Sequence, residues 1–249
     1  MEVKRHPFQG VWNILRFNRH FYLGACALLF VLVGSRFFIG WSGGLFYVVL
    51  TALLYGIFAP LLVSAYVYDL SGFYRLEWLR EMKLADAEGK MAVNIHAGFD
   101  ETSFIMAEMM PKTAWQVFDF YDPKRHTEQA IVRARKVSAV YPNTRAISST
   151  EIPLEDASVD YLFFVFSLHE IRQHDEKVQC LKECRRILKP GGKIILVEHV
   201  RDFPNFLAFS IGFMHFFSHK TWKKAFLEAG FTSIYEKKFT AFISIFTAP

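Results

Sequence analysis

Cysteine is scarce in this chain: Cys26, Cys180 and Cys184 are its three cysteines among 249 residues. They form no CxxC pair, and no Cys/His spacing typical of a zinc site is present. A disulfide framework is therefore excluded, and we expect reduced thiols with packing roles in a protein that faces the cytosol. Long basic runs are also absent although the formal net charge is +5. This distribution favours an anionic membrane surface over nucleic acid as a partner.

Charged residues are missing from two long segments near the N-terminus, 21–35 and 37–68. Because about 20 apolar residues span a bilayer, we predict a helical hairpin with spans at about 20–39 and 44–66. Arg36 is expected at the far interface, since an arginine at the bilayer centre costs about 2.5–3.5 kcal/mol. The alternatives are a re-entrant or monotopic hairpin, a cleaved signal peptide and a buried soluble hairpin.

Basic residues flank both ends of the uncharged region. By the positive-inside rule both ends of the hairpin face the cytosol, which predicts a membrane protein with its globular part on the cytoplasmic side. We divide the chain into a hairpin over 1–70, an amphipathic connector over 71–87, and a domain over 88–249. The connector either lies on the membrane surface or packs on the domain. The flanking basic residues are Lys4, Arg5, Arg16, Arg19, Arg75, Arg80 and Lys83.

Short apolar runs alternate with helical patterns after Gly89. This order predicts an α/β class domain with a Rossmann-like, doubly wound sheet and a closing antiparallel strand pair. We expect strands at 91–97, 114–120, 145–148, 161–166, 193–200, 232–238 and 242–247, and helices at 101–110, 126–140, 176–187 and 220–229.

The most specific pattern lies between Ile152 and Val200. A turn containing Pro153 leads into a buried strand, the Ser167–Glu170 loop, a helix, the Gly191–Gly192 turn and another buried strand. This order and spacing resemble the second half of a class I S-adenosylmethionine-dependent methyltransferase. The resemblance implies S-adenosylmethionine as the cofactor and methyl transfer as the reaction.

Glycines are missing from the segment that the resemblance assigns to the cofactor. The family pattern has an acid at the end of the first strand, followed by three alternating glycines. Here Asn94 stands in place of the acid, and His96, Gly98 and Asp100 stand in the glycine positions. Two interpretations remain open: Asn94 and His96 supply polar contacts to a bound cofactor, or the segment has lost cofactor binding.

Further cofactor-binding residues follow from the resemblance. Asp119 ends the next strand, where the family's acid accepts hydrogen bonds from the ribose hydroxyls. Ser148 and Ser149 occupy the adenine region. Ser167 follows the third of the long strands and is expected to line the cofactor.

His169 is the candidate catalytic residue, because an imidazole near neutral pKa can act as a general base towards a phenol. The alternatives are that it lines the cofactor or caps the following segment. Glu198 and His199 end the next long strand at the same edge of the sheet, and we expect them to shape the acceptor pocket.

The segment 203–219 is rich in phenylalanine and follows that strand. We predict that it forms an apolar lid facing the membrane, with His215 among the substrate-binding residues. His215 and His219 have the i, i+4 spacing of metal ligands, but the surrounding phenylalanines favour a lid, and we predict no metal site.

These features predict a membrane-anchored methyltransferase that acts on a lipophilic acceptor such as a quinone, a polyketide phenol or a lipid. A second resemblance provides one alternative. The enzymes that form rhodoquinone from ubiquinone share this fold, lack the full glycine motif, have a Leu-His-Glu segment and move an amino group with a metal. The other alternative is a non-catalytic membrane scaffold that keeps the fold.

Overall fold

A computed structural model describes residues 5–126 and 128–249. Lys4, one of the predicted flanking basic residues, and Thr127, inside the predicted helix 126–140, lie outside the described residues. The chain begins with apolar helices and continues into an α/β domain.

Seven strands of the described chain form one sheet in the order β3-β2-β1-β4-β5-β7-β6. Strands β1 to β5 pair in parallel, and β7 lies antiparallel between β5 and β6. This arrangement confirms the predicted Rossmann-like sheet with its antiparallel closing pair. The strands are β1 (Met91–His96), β2 (Ala114–Asp119), β3 (Arg145–Ala146), β4 (Val159–Val165), β5 (Leu188–His199), β6 (Tyr235–Lys238) and β7 (Ile243–Ala248).

Among the helices that connect these strands are the four expected from the sequence. They are α5 (Ser103–Met109), α6 (Gln129–Ala134), α7 (His174–Ile187) and α9 (His219–Glu228). Helix α6 is much shorter than the predicted 126–140. The chain leaves the helix where the Ser138 hydroxyl exchanges hydrogen bonds with the backbone N–H and carbonyl of Asp100, both at 3.0 Å. A tertiary contact thus overrides local helix preference.

The connector packs on the sheet as part of the domain core. It folds as a 3₁₀ turn, Phe73–Arg75, and the short helix α4, Glu77–Glu81, joined at Leu76 with a positive φ of 55°. Phe73, Leu76 and Trp78 are each 1% exposed. Burying three side chains of this size contributes about 1.5–3 kcal/mol each, which resolves the choice left open by the sequence in favour of packing on the domain.

The N-terminal helices are α1 (Gln9–Phe17), α2 (Arg19–Ser35) and α3 (Gly43–Ser64), and α3 continues into a π-helical turn, Ala65–Leu70. In the described part of the chain, one helix, Gly43–Arg75, is long and apolar enough to cross a membrane. Helix α2 meets that criterion only together with α1, at a bend of 79°. The structure therefore supports one apolar helix, and the predicted two-span hairpin is not established.

Large apolar side chains of α2 and α3 face outwards. Only 6% of the most apolar window of the long helix is buried, which is unlike the core helix of a soluble domain. The exposed side chains are Phe21, Leu23, Leu28, Phe30, Val31 and Val33 on α2 and Leu45, Tyr47, Val48, Val49, Tyr55, Phe58 and Leu62 on α3.

Candidate active site

Polar side chains gather where β1, β2, β4 and β5 end. In parallel strands these carboxyl ends share one edge of the sheet, which is where ligands bind in doubly wound folds. His96 and Asp119 are paired in register at the ends of β1 and β2. His169 follows β4, and Glu198 lies at the end of β5. The sheet therefore brings together residues that are up to about a hundred positions apart.

The turn after β1 requires the glycine that the sequence retains. Gly98 has a φ of +85°, which is favourable for glycine and strained for other residues. The Arg135 side chain lies directly against this turn: a Cβ at Gly98 would be 2.2 Å from Arg135 Nη1. No sequence pattern predicts Arg135 at this site, because Arg135 comes from the far end of the α6 region.

Asp119 is engaged by neighbours on both carboxylate oxygens. Oδ2 accepts a hydrogen bond from Arg135 Nη1 at 2.7 Å, and Oδ1 accepts from the Tyr121 backbone N–H at 2.9 Å. His96 Nδ1 is 3.8 Å from Oδ1 and accepts the Gly98 N–H at 3.0 Å. The groove between Gly98 and Asp119 therefore holds the Arg135 side chain, which is 36% exposed and so has room to move.

Asn94 and Asp100 form the buried floor of this groove. Asn94 donates to Ser103 Oγ at 2.8 Å, and Asp100 Oδ1 accepts the backbone N–H groups of Thr102 and Ser103 at 2.9 and 3.0 Å. Asn94 Oδ1 and Asp100 Oδ2 are buried and find no hydrogen-bond partner among the described residues. Buried acceptors without a donor are costly, so these two oxygens indicate a place for a ligand that donates hydrogen bonds.

The three predicted serines already have hydrogen-bond partners. Ser148 contacts Thr150, and the Ser149 hydroxyl donates to Glu176 of α7. The Ser167 hydroxyl is buried and donates to the Ile95 carbonyl at 2.8 Å, which ties the end of β4 to β1. Each hydroxyl keeps a lone pair to accept a hydrogen bond, so cofactor contacts by these serines stay a prediction.

His169 is paired with Glu198, which is 1% exposed. Nδ1–H of His169 donates to Glu198 Oε2 at 2.7 Å, and the His169 backbone N–H donates to Oε1 at 3.2 Å. The structure thus places Glu198 behind His169, where it fixes the ring. Nε2 is left to face Glu170 Oε1 at 3.5 Å. Sequence analysis did not single out Glu170 as a site residue.

The environment of His169 favours its charged form. Burial lowers the pKa of the imidazole, but the Glu198 and Glu170 carboxylates outweigh burial and raise this pKa to about 10. Conversely, burial raises the pKa of Glu170, and the contact with His169 outweighs it and keeps that pKa below its usual range. The ring therefore carries a positive charge at neutral pH in the arrangement described.

His199 lies deeper, among aromatic rings. It stacks between Phe166 and Phe216 with ring centroids 4.9 and 5.0 Å away. Its Nδ1–H donates to the Phe242 carbonyl at 2.9 Å, so Nε2 accepts the Tyr68 hydroxyl at 2.7 Å. Burial is the main cause that lowers the pKa of His199 to about 4, and the ring stays neutral.

The segment 203–219 lies beside this site and next to α3. It consists of α8 (Phe203–Phe209) and a 3₁₀ segment, Ser210–His215, and the Tyr55 hydroxyl of α3 donates to the Leu207 carbonyl at 2.5 Å. We call 203–215 the lid segment. His215, at its end, meets His169 edge to face with ring centroids 5.0 Å apart. Large apolar side chains on the lid segment are exposed: Phe203, Phe206, Leu207, Ile211 and Met214.

Comparisons with known proteins relate part of this chain to methyltransferases. Residues 106–196 match a family model described as a methyltransferase domain. A demethylmenaquinone methyltransferase of Bacillus cereus (strain ATCC 10987) is 26% identical over 148 residues, which are 57% of this chain and 58% of that protein. One of Bacillus mycoides is 33% identical over 72 residues, 29% of this chain and 28% of that protein. The chain thus spans less than two thirds of the length of these relatives.

Solved structures share the fold. A SAM-dependent methyltransferase from Aquifex aeolicus superposes with a TM-score of 0.52 at 16% identity, over 72% of this chain and 93% of that one. Human N-acetylserotonin methyltransferase in complex with SAM gives 0.51 at 15% identity, over 78% of this chain and 55% of that one. The predicted resemblance is confirmed by the match of residues 106–196 to a methyltransferase domain, and S-adenosylmethionine as the cofactor agrees with the solved neighbours of this fold that depend on SAM or contain it.

The residues of the groove fit this cofactor in charge and hydrogen bonding. The free oxygens of Asn94 and Asp100 suit its ammonium group, and the Asp119 carboxylate suits two ribose hydroxyls. The fit requires the Arg135 side chain to leave the space beside Gly98. Because that side chain is long and partly exposed, this needs rotation about side-chain bonds and no change of the backbone.

Proposed function

We propose that the chain transfers a methyl group to a lipophilic acceptor at a membrane. Two findings support this proposal: residues 106–196 match a methyltransferase domain, and the sheet around them has the fold of S-adenosylmethionine-dependent methyltransferases. A quinone precursor is the favoured acceptor, because the relatives from Bacillus act on demethylmenaquinone. A polyketide phenol and a lipid are the other acceptors in this class.

The observation that carries the proposal is the His169–Glu198 pair beneath an apolar lid. A buried carboxylate fixes the imidazole of His169 through Nδ1, so Nε2, which faces Glu170, is the ring nitrogen that remains for an acceptor. The aromatic rings of Phe166, His199 and Phe216 lie close by and suit a planar apolar ring.

The cofactor supplies a methyl group that is already activated on a sulfonium, so the protein mainly positions the two reactants. Asn94, His96, Gly98, Asp100 and Asp119 are the residues proposed to hold the cofactor. Ser148 and Ser149 are proposed to contact the adenine, and Ser167 is proposed to contact the cofactor on the side towards the acceptor.

His169 is proposed as the catalytic residue that contacts the acceptor oxygen. Because Glu198 and Glu170 favour the protonated ring, the imidazole first meets the acceptor oxygen as a hydrogen-bond donor and stabilises its anionic form. His199 and His215 are proposed to line the acceptor pocket, and Glu198 acts through His169 as a positioning residue.

The membrane part of the proposal is supported by the apolar helix Gly43–Arg75 and by the exposed apolar side chains of α2. We propose that 1–70 forms a hairpin in the membrane, 71–87 connects it, and 88–249 lies on the cytoplasmic side. An acceptor dissolved in the bilayer would then reach His169 along the lid segment, which contacts α3.

Each of the two alternative functions is favoured by one feature of the cofactor groove. The Arg135 side chain in the cofactor groove is what a non-catalytic scaffold would show. The rhodoquinone-forming enzymes also lack the full glycine motif, which this chain lacks at Asn94, His96 and Asp100. Those enzymes transfer an amino group with the same cofactor.

One incubation distinguishes these functions. The full chain in detergent is mixed with methyl-labelled S-adenosylmethionine and with demethylmenaquinone that dithionite has reduced to the hydroquinone, and the quinone fraction is examined for label and by mass. A labelled, methylated quinone is expected, and His169→Ala lowers its yield. An amino-substituted ubiquinone in a parallel incubation would replace the proposal by amino transfer, and no binding of the cofactor would replace it by a scaffold.

A further inference from the structure

Four side chains of types that bind metal ions lie close together at His215, the last residue of the lid segment. His169 and Glu170 come from the turn after β4, His215 ends the lid segment, and Glu128 precedes α6. We propose that His169, Glu170 and His215 bind one divalent transition-metal ion, with Glu128 as an additional carboxylate ligand. The sequence alone predicts no metal site here, because the i, i+4 spacing pairs His215 with His219 and not with His169.

The distances between these groups suit a shared ion. One donor atom each from His169, Glu170 and His215 lies within 4.8 Å of the other two. His169 Nε2 is 3.5 Å from Glu170 Oε1, and His215 Nδ1 is 3.4 Å from Glu128 Oε1. Two ligands bound at about 2.1 Å to the same ion stand about 3–3.5 Å apart, so small side-chain rotations close the site.

Glu198 supplies the support that a metal-bound imidazole requires. A histidine ligand commonly donates its other ring N–H to a carboxylate, which fixes the tautomer and the direction of the coordinating nitrogen. His169 does this through Nδ1 to Glu198 Oε2 at 2.7 Å, and Nε2 remains on the side of Glu170 and His215. Glu198 is fully buried and receives a second bond from the His169 backbone, so the direction of Nε2 is well determined.

Arg172 holds the two histidine segments together. Its Nη1 donates to the His169 carbonyl at 3.2 Å and to the His215 carbonyl at 2.8 Å. One guanidinium therefore joins the turn after β4 to the end of the lid segment, which sets the spacing of the two imidazoles. Arg172 therefore fixes the distance between the two backbone segments, and this distance does not depend on contacts among the side chains of the cluster.

The donor set indicates which ions fit. Two imidazoles with one or two carboxylates suit Zn²⁺, Mn²⁺, Fe²⁺ or Co²⁺, and a three-residue set leaves open positions for an oxygen ligand. The cluster lies at the carboxyl edge of β4 and β5, beside the proposed acceptor pocket. With an ion bound, His169 is a neutral imidazole whose Nε2 coordinates the ion, and the ion would replace the protonated ring in polarising an acceptor oxygen. That role rests on the proposed function, whereas binding of the ion does not.

Direct metal titration tests the site without cofactor or acceptor. The full chain in detergent is stripped with a chelator and titrated with Co²⁺, whose visible absorption reports its ligands, and with Mn²⁺ and Zn²⁺ by calorimetry. We expect about one ion per chain. His215→Ala and His169→Ala should each weaken binding by at least about tenfold and change the Co²⁺ spectrum.

The matched control is His174→Ala. His174 pairs with one glutamate, Glu228, as His215 pairs with Glu128, but among the described residues it belongs to no group of possible metal ligands. This variant should bind the ions as the unmodified chain does. His215 is partly exposed, so its replacement should leave the fold intact by circular dichroism. Failure of all three ions to bind, or affinities unchanged in His215→Ala, would overturn the proposal, whatever the outcome of the methyl-transfer assay.

Discussion

His169 and Glu198 are 29 residues apart in the chain, yet the imidazole Nδ1 and a carboxylate oxygen lie 2.7 Å apart in the fold. The parallel pairing of β4 with β5 produces this contact, because it brings the turn after one strand against the end of the next. The site therefore depends on sheet register as much as on the identity of either residue.

Replacing Glu198 tests its role as a positioning residue. Glu198→Gln removes the charge that fixes the His169 ring, and we expect kcat to fall about a hundredfold or more with little change in the KM for the cofactor, since general acid–base catalysis contributes about 10²–10⁴-fold. Steady-state kinetics measure the effect.

The control for this variant is Glu236→Gln, because Glu236 also pairs with a histidine, His219, away from the proposed site. Its kinetics should match those of the unmodified chain. An equal loss in both variants, or a loss of cofactor affinity alone in Glu198→Gln, would contradict the positioning role.

Removing Arg135 tests whether the groove beside Gly98 accepts the cofactor. The Arg135 side chain occupies that space and pairs with Asp119, so Arg135→Ala should tighten the binding of S-adenosylmethionine and its demethylated product by severalfold. Calorimetry on the full chain measures both affinities. Arg145→Ala, which removes a surface arginine bonded to Gln116, is the control; weaker binding in Arg135→Ala would show that Arg135 holds the ligand instead of excluding it.

His199 makes the fold sensitive to mild acid. Its pKa is lowered to about 4 in the folded chain, mainly by burial, whereas an unfolded histidine titrates near 6.5. The unfolded chain therefore binds the proton first, so stability is complete above pH 6.5 and is lost as the pH falls towards 4. Between pH 7 and pH 5 this group alone should remove about 2 kcal/mol.

The variant His199→Gln keeps hydrogen-bonding groups but does not titrate. Denaturant unfolding in detergent at both pH values should show a smaller loss between pH 7 and pH 5 in the variant than in the unmodified chain. Equal losses would mean that His199 is not the group responsible.

The exposed apolar residues of the lid segment should contact lipid. Ile211→Asp places a charge where a side chain is 81% exposed on the lid segment, and we expect vesicle binding to weaken and turnover of a long-chain quinone to fall, both by about tenfold. Vesicle flotation and turnover with a short, soluble quinone separate the two effects, because the soluble acceptor should be methylated at the original rate.

Leu227→Asp is the matched control, since Leu227 is 58% exposed on α9 and lies outside the lid segment. It should leave vesicle binding unchanged. If Ile211→Asp behaves as this control does, the lid segment does not face the membrane.

The order of strands and helices could be predicted because it depends on local pattern. Continuous apolar runs such as 161–166 become buried parallel strands, and the Gly191–Gly192 turn marks where β5 begins its pairing with the core of β4. The end of α6 could not be predicted, because Ser138 is drawn away from the helix by Asp100, a residue on another element.

The candidate site, like the fold, could be predicted only in part from the sequence. Residues at strand ends, such as Asp119 and His169, are identifiable because the sheet edge places them predictably. Arg135 in the groove and Glu170 beside His215 were missed, because their positions depend on side chains that cross between elements. A sequence pattern contains residue spacing along the chain, and it holds no information about which of these side chains meet.

Only a few residues separate Ile211 and Met214, which face outwards, from His215, which touches His169. A contact with the outer surface of residues 211–214 would therefore also affect the position of the His215 imidazole beside the reacting groups. A bilayer in contact with the outer side chains would then both deliver the acceptor and fix the position of His215 beside it.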